Sequence, residues 1–345
     1  MISTPKAKIK GFSSTCEECK KEEAIKMKIL VIGGTSFIGR HLVETSIKNG
    51  HEVVLFNRGK TNPGVFEGIR HIQGDRRTDA HLLENEKWDA VLDTCGYTPN
   101  DLTPVLESVM NNTKSYMFIS TISVYDNYEQ DRPNEESSMH NDQIETDEVT
   151  GETYGPLKVM CEDLVTQAFG NKALIIRPCI VVGPHDPTDR FTYYAMKLTE
   201  SGHVALPGGP ESKRMIQWID VRDMAKWIVS MVEEGKTGTF NAASTPITLD
   251  AFIDEIATNP VEKVWISDKE LEEHDLGTRR FPFWMPISEQ YPEGFFIVKN
   301  DKAVAEGLTF RPLKETAEDT RNWAGHRELK AGPTKEMEEA LLKKK

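Results

Sequence analysis

The chain has 345 residues, 38% hydrophobic and 28% charged, the mix of a globular protein with one large or two ordinary domains. Its 42 Lys and Arg face 55 Asp and Glu, and the net charge of −13 disfavours broad binding to nucleic-acid phosphates. No run approaches about 18 apolar residues, so no membrane-spanning helix is expected; five cysteines do not make a disulfide framework, which points to a reducing cytoplasm.

Residues 1–26 are Lys/Glu-rich, lack an apolar stretch and read as a disordered extension, with Met27 standing directly before the first strand. Cys16 and Cys19 are spaced as half a zinc site or a redox pair, but no second CxxC or His pair follows, so no metal site is expected. Residues 28–34 (KILVIGG) read as a buried strand ending in a glycine turn. Residues 38–49 have helical spacing and stop at Gly50. Further strands are read at 51–56, 69–73, 90–93, 115–120 and 173–182, with helical segments between most of them, for example 101–110. Strands alternating with helices predict an α/β fold with a doubly wound parallel sheet. Residues 126–153 are acidic and polar and read as a long surface loop, a candidate lid. From about residue 183 the pattern becomes irregular, which predicts a smaller second lobe over 183–332 and a charged, helical tail over 333–345. The nucleotide-binding domain is then 27–182, partly completed by later segments.

The first strand runs into Val31-Ile-Gly-Gly-Thr-Ser-Phe-Ile-Gly39 and then a helix. Gly33 and Gly34 allow a tight turn and close backbone approach. Gly39 allows the helix to pack on the sheet, and the helix N-terminus offers unpaired N–H groups to a pyrophosphate. Ser36 stands where many such loops carry a middle glycine. About 20 residues beyond the loop an NAD site usually holds a carboxylate for the ribose. Here that place is taken by Asn57 and Arg58, and a guanidinium binds a 2′-phosphate. NADP is therefore expected over NAD, with a solvated Arg58 as the alternative. Asp75, after the third strand, is either an adenine contact or a plain loop carboxylate.

Tyr154-Gly-Pro-Leu-Lys158 puts a phenol and an ammonium four residues apart, with Pro156 marking the first turn of a helix. A tyrosine with a pKa near 10 is a poor base at neutral pH, and a nearby cation favours its phenolate. The fifth strand ends in Ser120, Thr121 and Ser123, hydroxyls at the edge of a parallel sheet where ligands bind.

With these motifs in this order, residues 27–325 resemble the extended short-chain dehydrogenase/reductases of the NAD-dependent epimerase/dehydratase type. The glycine loop matches at Gly33, Gly34 and Gly39, the strand-end pattern at Thr121 followed by Ser123, Val124 and Tyr125, and the YxxxK pair at Tyr154 and Lys158. The Arg-Pro…Gly-Pro segment matches at Arg177, Pro178, Gly183 and Pro184, and the Asp-Val-x-Asp segment at Asp220-Val-Arg-Asp223, where a helix of the small lobe would begin. The chain is also similar to a branch with uncharacterised bacterial members and chloroplast stem-loop-binding proteins.

The resemblance implies a Rossmann domain with a small C-terminal α/β substrate lobe and an oxidoreductase or epimerase acting on a hydroxyl or ketone. Thr121, Tyr154 and Lys158 would be catalytic. Gly33, Gly34, Thr35, Ser36, Phe37, Ile38, Gly39, Asn57, Arg58, Asp75, Cys95, Gly96, Ser120, Lys158 and Pro178 would hold the cofactor. Ser123 would meet a small substrate, with a sugar-nucleotide left open, and Arg190 and Arg214 either bind an anionic one or are surface charges. Family members commonly form homodimers through helices after the fourth and fifth strands.

Departures narrow the activity. Ile122 and Ser123 replace the Asp-Glu of the dehydratases, which disfavours dehydration, and Cys179 replaces an Asn that binds the diphosphate of nucleotide-sugars. Asp93 ends the fourth strand where small apolar residues are usual and reads as a structural carboxylate, with a site acid as the alternative. Of the aromatics Trp265, Phe281, Phe283, Trp284, Tyr291, Phe295 and Phe296, most are expected in a core. The competing reading is a non-catalytic Rossmann protein, RNA-associated or redox-sensing.

Overall fold

The computed structural model describes residues 26–128, 132–200, 202–209, 214–273, 280–288 and 291–343; Cys16 and Cys19 lie outside them. Seven parallel strands form the central sheet: β1 (Lys28–Ile32), β2 (Glu52–Asn57), β3 (Arg70–Gln73), β4 (Trp88–Asp93), β5 (Thr113–Ile119), β6 (Ala173–Pro178) and β11 (Gly238–Ala242). Their spatial order is 11-6-5-4-1-2-3, so the direction of winding reverses between β1 and β4 and opens a crevice at the strand ends there.

The strands are apolar on both faces because helices cover both. Ile29, Val31, Val53, Leu55, Leu92, Met117 and Ile176 point to one side, where α1 (Phe37–Lys48) and α5 (Val221–Glu233) add Leu42, Val43, Met224 and Ile228. Leu30, Ile32, Val54, Phe56, Val91, Tyr116, Phe118 and Ile175 point to the other, against α2 (Pro99–Val109) and α3 (Tyr154–Phe169). Thr98 caps α2 in a reciprocal capping box with Asp101, and Pro99 sits in its first turn, where no N–H is needed.

Three differences from the sequence reading stand out. The expected strand 173–182 breaks at Cys179 into β6 and β7 (Ile180–Val182), and β7 pairs with β10 (Trp218–Asp220) instead of continuing the sheet. The helix after Asp220, expected in the small lobe, packs on the sheet beside α1, and Glu233 at its end hydrogen-bonds Asn49 and His51. The acidic loop lacks regular helix and strand over its described residues, yet it is tied down. Its Glu135 side chain accepts from the Asn241 N–H at 2.8 Å, and Asp147 accepts from Arg77 and Asn100.

A further core gathers α4 (Arg190–Lys197), β8 (Gly202–Pro207), β9 (Met215–Ile216), β12 (Ile247–Thr248), α6 (Leu249–Ile256), β13 (Val261–Ile266) and α9 (Leu313–Ala324) around Phe191, Tyr194, Leu206 and Phe252. The short α7 (Asp268–Glu273) contributes Leu271, and α8 (Asp301–Ala305) follows the stretch 291–300. The tail forms α10 (Lys335–Leu342) against β8, with Thr334 as its N-cap.

Candidate active site

The turn after β1 opens a groove of about 670 Å³ along the ends of β1, β2, β3 and β4, a volume suited to a small ligand. Gly33 and Gly34 have φ of +98° and +83°, a backbone that side chains rarely adopt, and a Cβ on either would meet Thr94 or Leu55 within 3 Å. Ser36 precedes α1 in extended conformation and makes no capping bond, so the first turn keeps N–H groups open to a ligand. Phe37 is held at φ +32°, a strained position next to the turn. Thr35, Ile38, Gly39, Arg58, Asp75 and Cys95 share this groove.

Asn57 lines this groove and also braces its turn. Its amide donates to the Gly33 carbonyl at 2.7 Å and its oxygen accepts from the Gly59 N–H at 2.8 Å. That carboxamide ties the glycine turn to the β2 end, and Arg58 lines the groove together with Lys60, Arg76 and Arg77. Arg58 is exposed and, among the described residues, its side chain makes no hydrogen bond. The Asp75 carboxylate accepts from the Arg77 N–H at 3.0 Å.

The groove continues past Phe37, Ile38, Thr94 and Tyr97 into a cleft of about 910 Å³. Gly96, Ser120, Thr121, Ser123, Tyr154, Lys158, Pro178, Arg190 and Arg214 all line it. The β5 end therefore brings its hydroxyls to the YxxxK helix. The Thr121 side chain caps a short turn by accepting from the Ser123 N–H at 3.1 Å. Gly155 lets α3 start against that turn, because a Cβ there would lie 2.2 Å from the Ser123 carbonyl oxygen. Burial raises the Tyr154 phenol above its usual value, while Thr121 and the Arg190 cation pull it back. The Ser120 hydroxyl is buried without a hydrogen-bond partner, an atom that a bound ligand would satisfy.

Lys158 is 2% exposed. Its ammonium donates to the carbonyls of Gly96 (2.8 Å) and Ile119 (2.7 Å) and lies 4.0 Å from the centre of the Phe118 ring. Burial brings it down to about 8, against the pull of Cys161, Asp93 and Glu162. The sign follows from proton binding. Between about pH 8 and 10.5 the unfolded chain keeps a proton that the folded chain has lost, so stability rises with pH across that window. Below it the full cost of the buried charge applies. Lys158→Met should therefore raise stability at pH 7 by on the order of 1–3 kcal/mol, with the gap shrinking towards pH 10. Urea denaturation at the two pH values checks this, and a variant no more stable than the parent at pH 7 would refute it.

Sequence reasoning read Asp93 as structural but missed the partners that support this site. Asp93, wholly buried, accepts from both η nitrogens of Arg76 (2.6 and 3.0 Å) and from the Tyr116 hydroxyl (2.7 Å). Burial opposes its charge, but Arg76 overcomes this and holds its pKa below the ordinary value. Arg177 pairs with Glu162 of α3 at 2.6 Å and donates to Tyr125, which in turn donates to Asn241. Of the aromatics, Phe281 and Trp284 are core and Trp265, Phe283, Phe295 and Phe296 pack against it, while Phe283, Trp284, Phe295 and Phe296 also line the cleft. A charged residue at a strand end where apolar ones are usual was the one legible signal for the Asp93 pair.

A glycine turn at a topological switch point, opening into a cleft with a Thr–Tyr–Lys cluster, defines a Rossmann-type dinucleotide-binding protein. The family model of the NAD dependent epimerase/dehydratase family matches residues 29–98 and 102–243, and the chain belongs to that family. Among curated proteins it is 29% identical over 191 residues to a chloroplast stem-loop binding protein of 41 kDa from Arabidopsis thaliana, covering 49% of this chain and 47% of that one. It is 40% identical over 82 residues to an isoflavone reductase homolog of Nicotiana tabacum, covering 21% and 26%. The chain thus spans less than half the length of these relatives. Among solved structures, the enzyme WbmH of Bordetella bronchiseptica in complex with NAD+ superposes with a TM-score of 0.63 at 16% identity, over 86% of this chain and 98% of that one. A UDP-glucose 4-epimerase of Thermotoga maritima with UDP-glucose gives 0.61 at 18%, over 87% and 100%. These likenesses establish the fold. No helix among the described residues is long and apolar enough to cross a membrane.

Proposed function

We propose that the protein is an NADP(H)-dependent oxidoreductase or epimerase acting on a hydroxyl or ketone of a small anionic substrate. The observation that carries this reading is the meeting of Thr121, Tyr154 and Lys158 where the glycine-turn groove joins the cleft. The residues present suit a dinucleotide: open N–H groups follow Ser36, and the unpartnered Ser120 hydroxyl awaits an acceptor or donor. When bound, the cofactor supplies or accepts hydride at its nicotinamide. Thr121 orients the substrate oxygen. Tyr154 moves the proton to or from that oxygen, and Lys158 supplies positive charge beneath it. Ile122 and Ser123 offer no carboxylic acid, so dehydration is not part of the reading.

Arg58 is the proposed reader of the 2′-phosphate. Arg58→Gln should weaken NADPH binding about 10–100-fold, the worth of a hydrogen-bonded charge pair, and leave NADH binding unchanged. Native mass spectrometry of the purified protein, followed by fluorescence titration with NADPH and NADH, tests the whole reading. Tight NADPH binding without retained cofactor marks a reductase. Retained cofactor marks an epimerase, which keeps its nicotinamide through the cycle. Binding of neither overturns the proposal in favour of a non-catalytic Rossmann protein.

A further inference from the structure

Among the described residues, the charged ones lining the cleft are Lys158, Arg190, Arg214, Lys330 and a single carboxylate, Asp186. A cleft with this balance, in a chain of net charge −13, is built for an anion. Asp186 is 1% exposed and turned into its own loop, where it accepts from the Thr188 N–H (2.8 Å) and hydroxyl (2.7 Å). The same Thr188 oxygen accepts from Arg190 Nε at 3.1 Å. The carboxylate thus fixes the loop and leaves the rest of the guanidinium for the cleft.

Lys330 comes from far along the chain, on the segment 325–332 that follows α9, and two anchors set its position. Asp189 is fully buried at φ +60°, a left-handed conformation costly for a residue with a side chain. Its carboxylate accepts from both η nitrogens of Arg327 and from the Lys330 N–H at 3.0 Å. At the other end Gly332 lies so close to Tyr193 of α4 that a Cβ would meet the ring at 2.2 Å. The Lys330 ammonium donates to the Pro187 carbonyl at 3.3 Å, and Lys330 and Arg190 both line the cleft. Asp189 and Arg190 are neighbours in sequence, so one buried carboxylate sets both cations.

We propose that segment 325–332 is part of the substrate site: Lys330 and Arg190 form a two-pronged clamp for an anionic group of the substrate, positioned by the Asp189–Arg327 pair. This rests on the reading of the cleft given above and adds the specificity determinants. The clamp faces the cleft that holds the Tyr154 phenol, so the anionic group, phosphate or carboxylate, belongs to the same substrate molecule as the reacting oxygen.

The test uses the full chain saturated with NADPH, so that the glycine turn is filled, and titrates inorganic phosphate and malonate separately by calorimetry. Lys330 is exposed, so Lys330→Gln should fold with an unchanged melting temperature. It should weaken binding of the preferred anion about 5–20-fold, as should Arg190→Gln. Asp189→Asn, which loosens the shared anchor, should weaken it also, and retention of parent affinity in that variant would remove the positioning role. The stronger of the two anions identifies the group. NADPH binding with anion affinity indifferent to Lys330→Gln and Arg190→Gln, or no anion binding at all, overturns this inference alone. Failure of the parent protein to bind NADPH overturns the reading of the site beneath it.

Discussion

Tyr154→Phe should abolish turnover while leaving the protein folded and NADPH bound. The phenol is half-buried and shares the cleft with the Thr121 hydroxyl, which keeps its bonds to Ser123 in the variant. Removing one oxygen therefore disturbs neither core nor groove. Its chemical cost is larger. Losing a positioned proton carrier lowers rates about 10²–10⁴-fold, and neither Ser123 nor Thr121 has a pKa suited to replace it. The measurement is NADPH oxidation against a panel of anionic ketones, repeated on the variant with the best of them, beside a NADPH titration. Turnover within about threefold of the parent would refute the assignment, because loss of general acid–base catalysis costs far more than that. A variant that no longer binds NADPH would move Tyr154 from proton transfer to cofactor binding.

The two halves of this site differed in how plainly the sequence showed them. The glycine turn was legible because its chemistry is local: backbone at positive φ, an uncapped helix start and a strand before it all lie within nine residues. Thr121, Tyr154 and Lys158 were legible as an ordered set, and the topology brings them to one place because α3 follows β5 around the same sheet edge. Asn57 shows the limit. Its position after β2 marks it as a groove residue, and only the Gly33 and Gly59 distances show that its amide also braces the turn. The break at Cys179 was hidden because ALIIRPCIVV is apolar apart from Arg177, and burial on both faces gives no mark where one sheet ends and another pairing begins. Long-range pairs were the least visible. Arg177 with Glu162 and Asp189 with Arg327 join residues 15 and 138 apart, and a single charged residue in sequence carries no sign of its partner.

Arg76→Met should be the most damaging single change outside the proposed chemistry. Asp93 is wholly buried, and the Arg76 side chain is nearly so. Without the guanidinium, the carboxylate keeps only the Tyr116 hydroxyl and the Cys95 N–H as partners in an apolar setting. Breaking one side of a buried pair typically costs about 3–5 kcal/mol, since the remaining charge is stranded. Urea denaturation at pH 7 should show that loss. Asp93→Asn should cost less, because the amide still accepts from Tyr116 and leaves a cation able to reach the groove. Acid sharpens the distinction. The pair holds the Asp93 pKa below its unfolded value, so its stabilisation is present above the unfolded carboxylate range, near pH 4, and is lost as pH falls through the lower folded value. The parent and Arg76→Met should therefore converge in stability on acidification. The same pair also reaches the site. Arg76 Nη1 lies 3.4 Å from the Cys95 sulfur, and the backbone that turns after Asp93 presents the Gly96 carbonyl to Lys158. Loosening that turn removes one of the two carbonyls that hold the ammonium. Arg76→Met should then lose NADPH affinity as well as stability, whereas a purely structural pair would lose stability alone. Parent-like stability at pH 7 would show that the stranded carboxylate finds another partner, and would remove Arg76 from both roles.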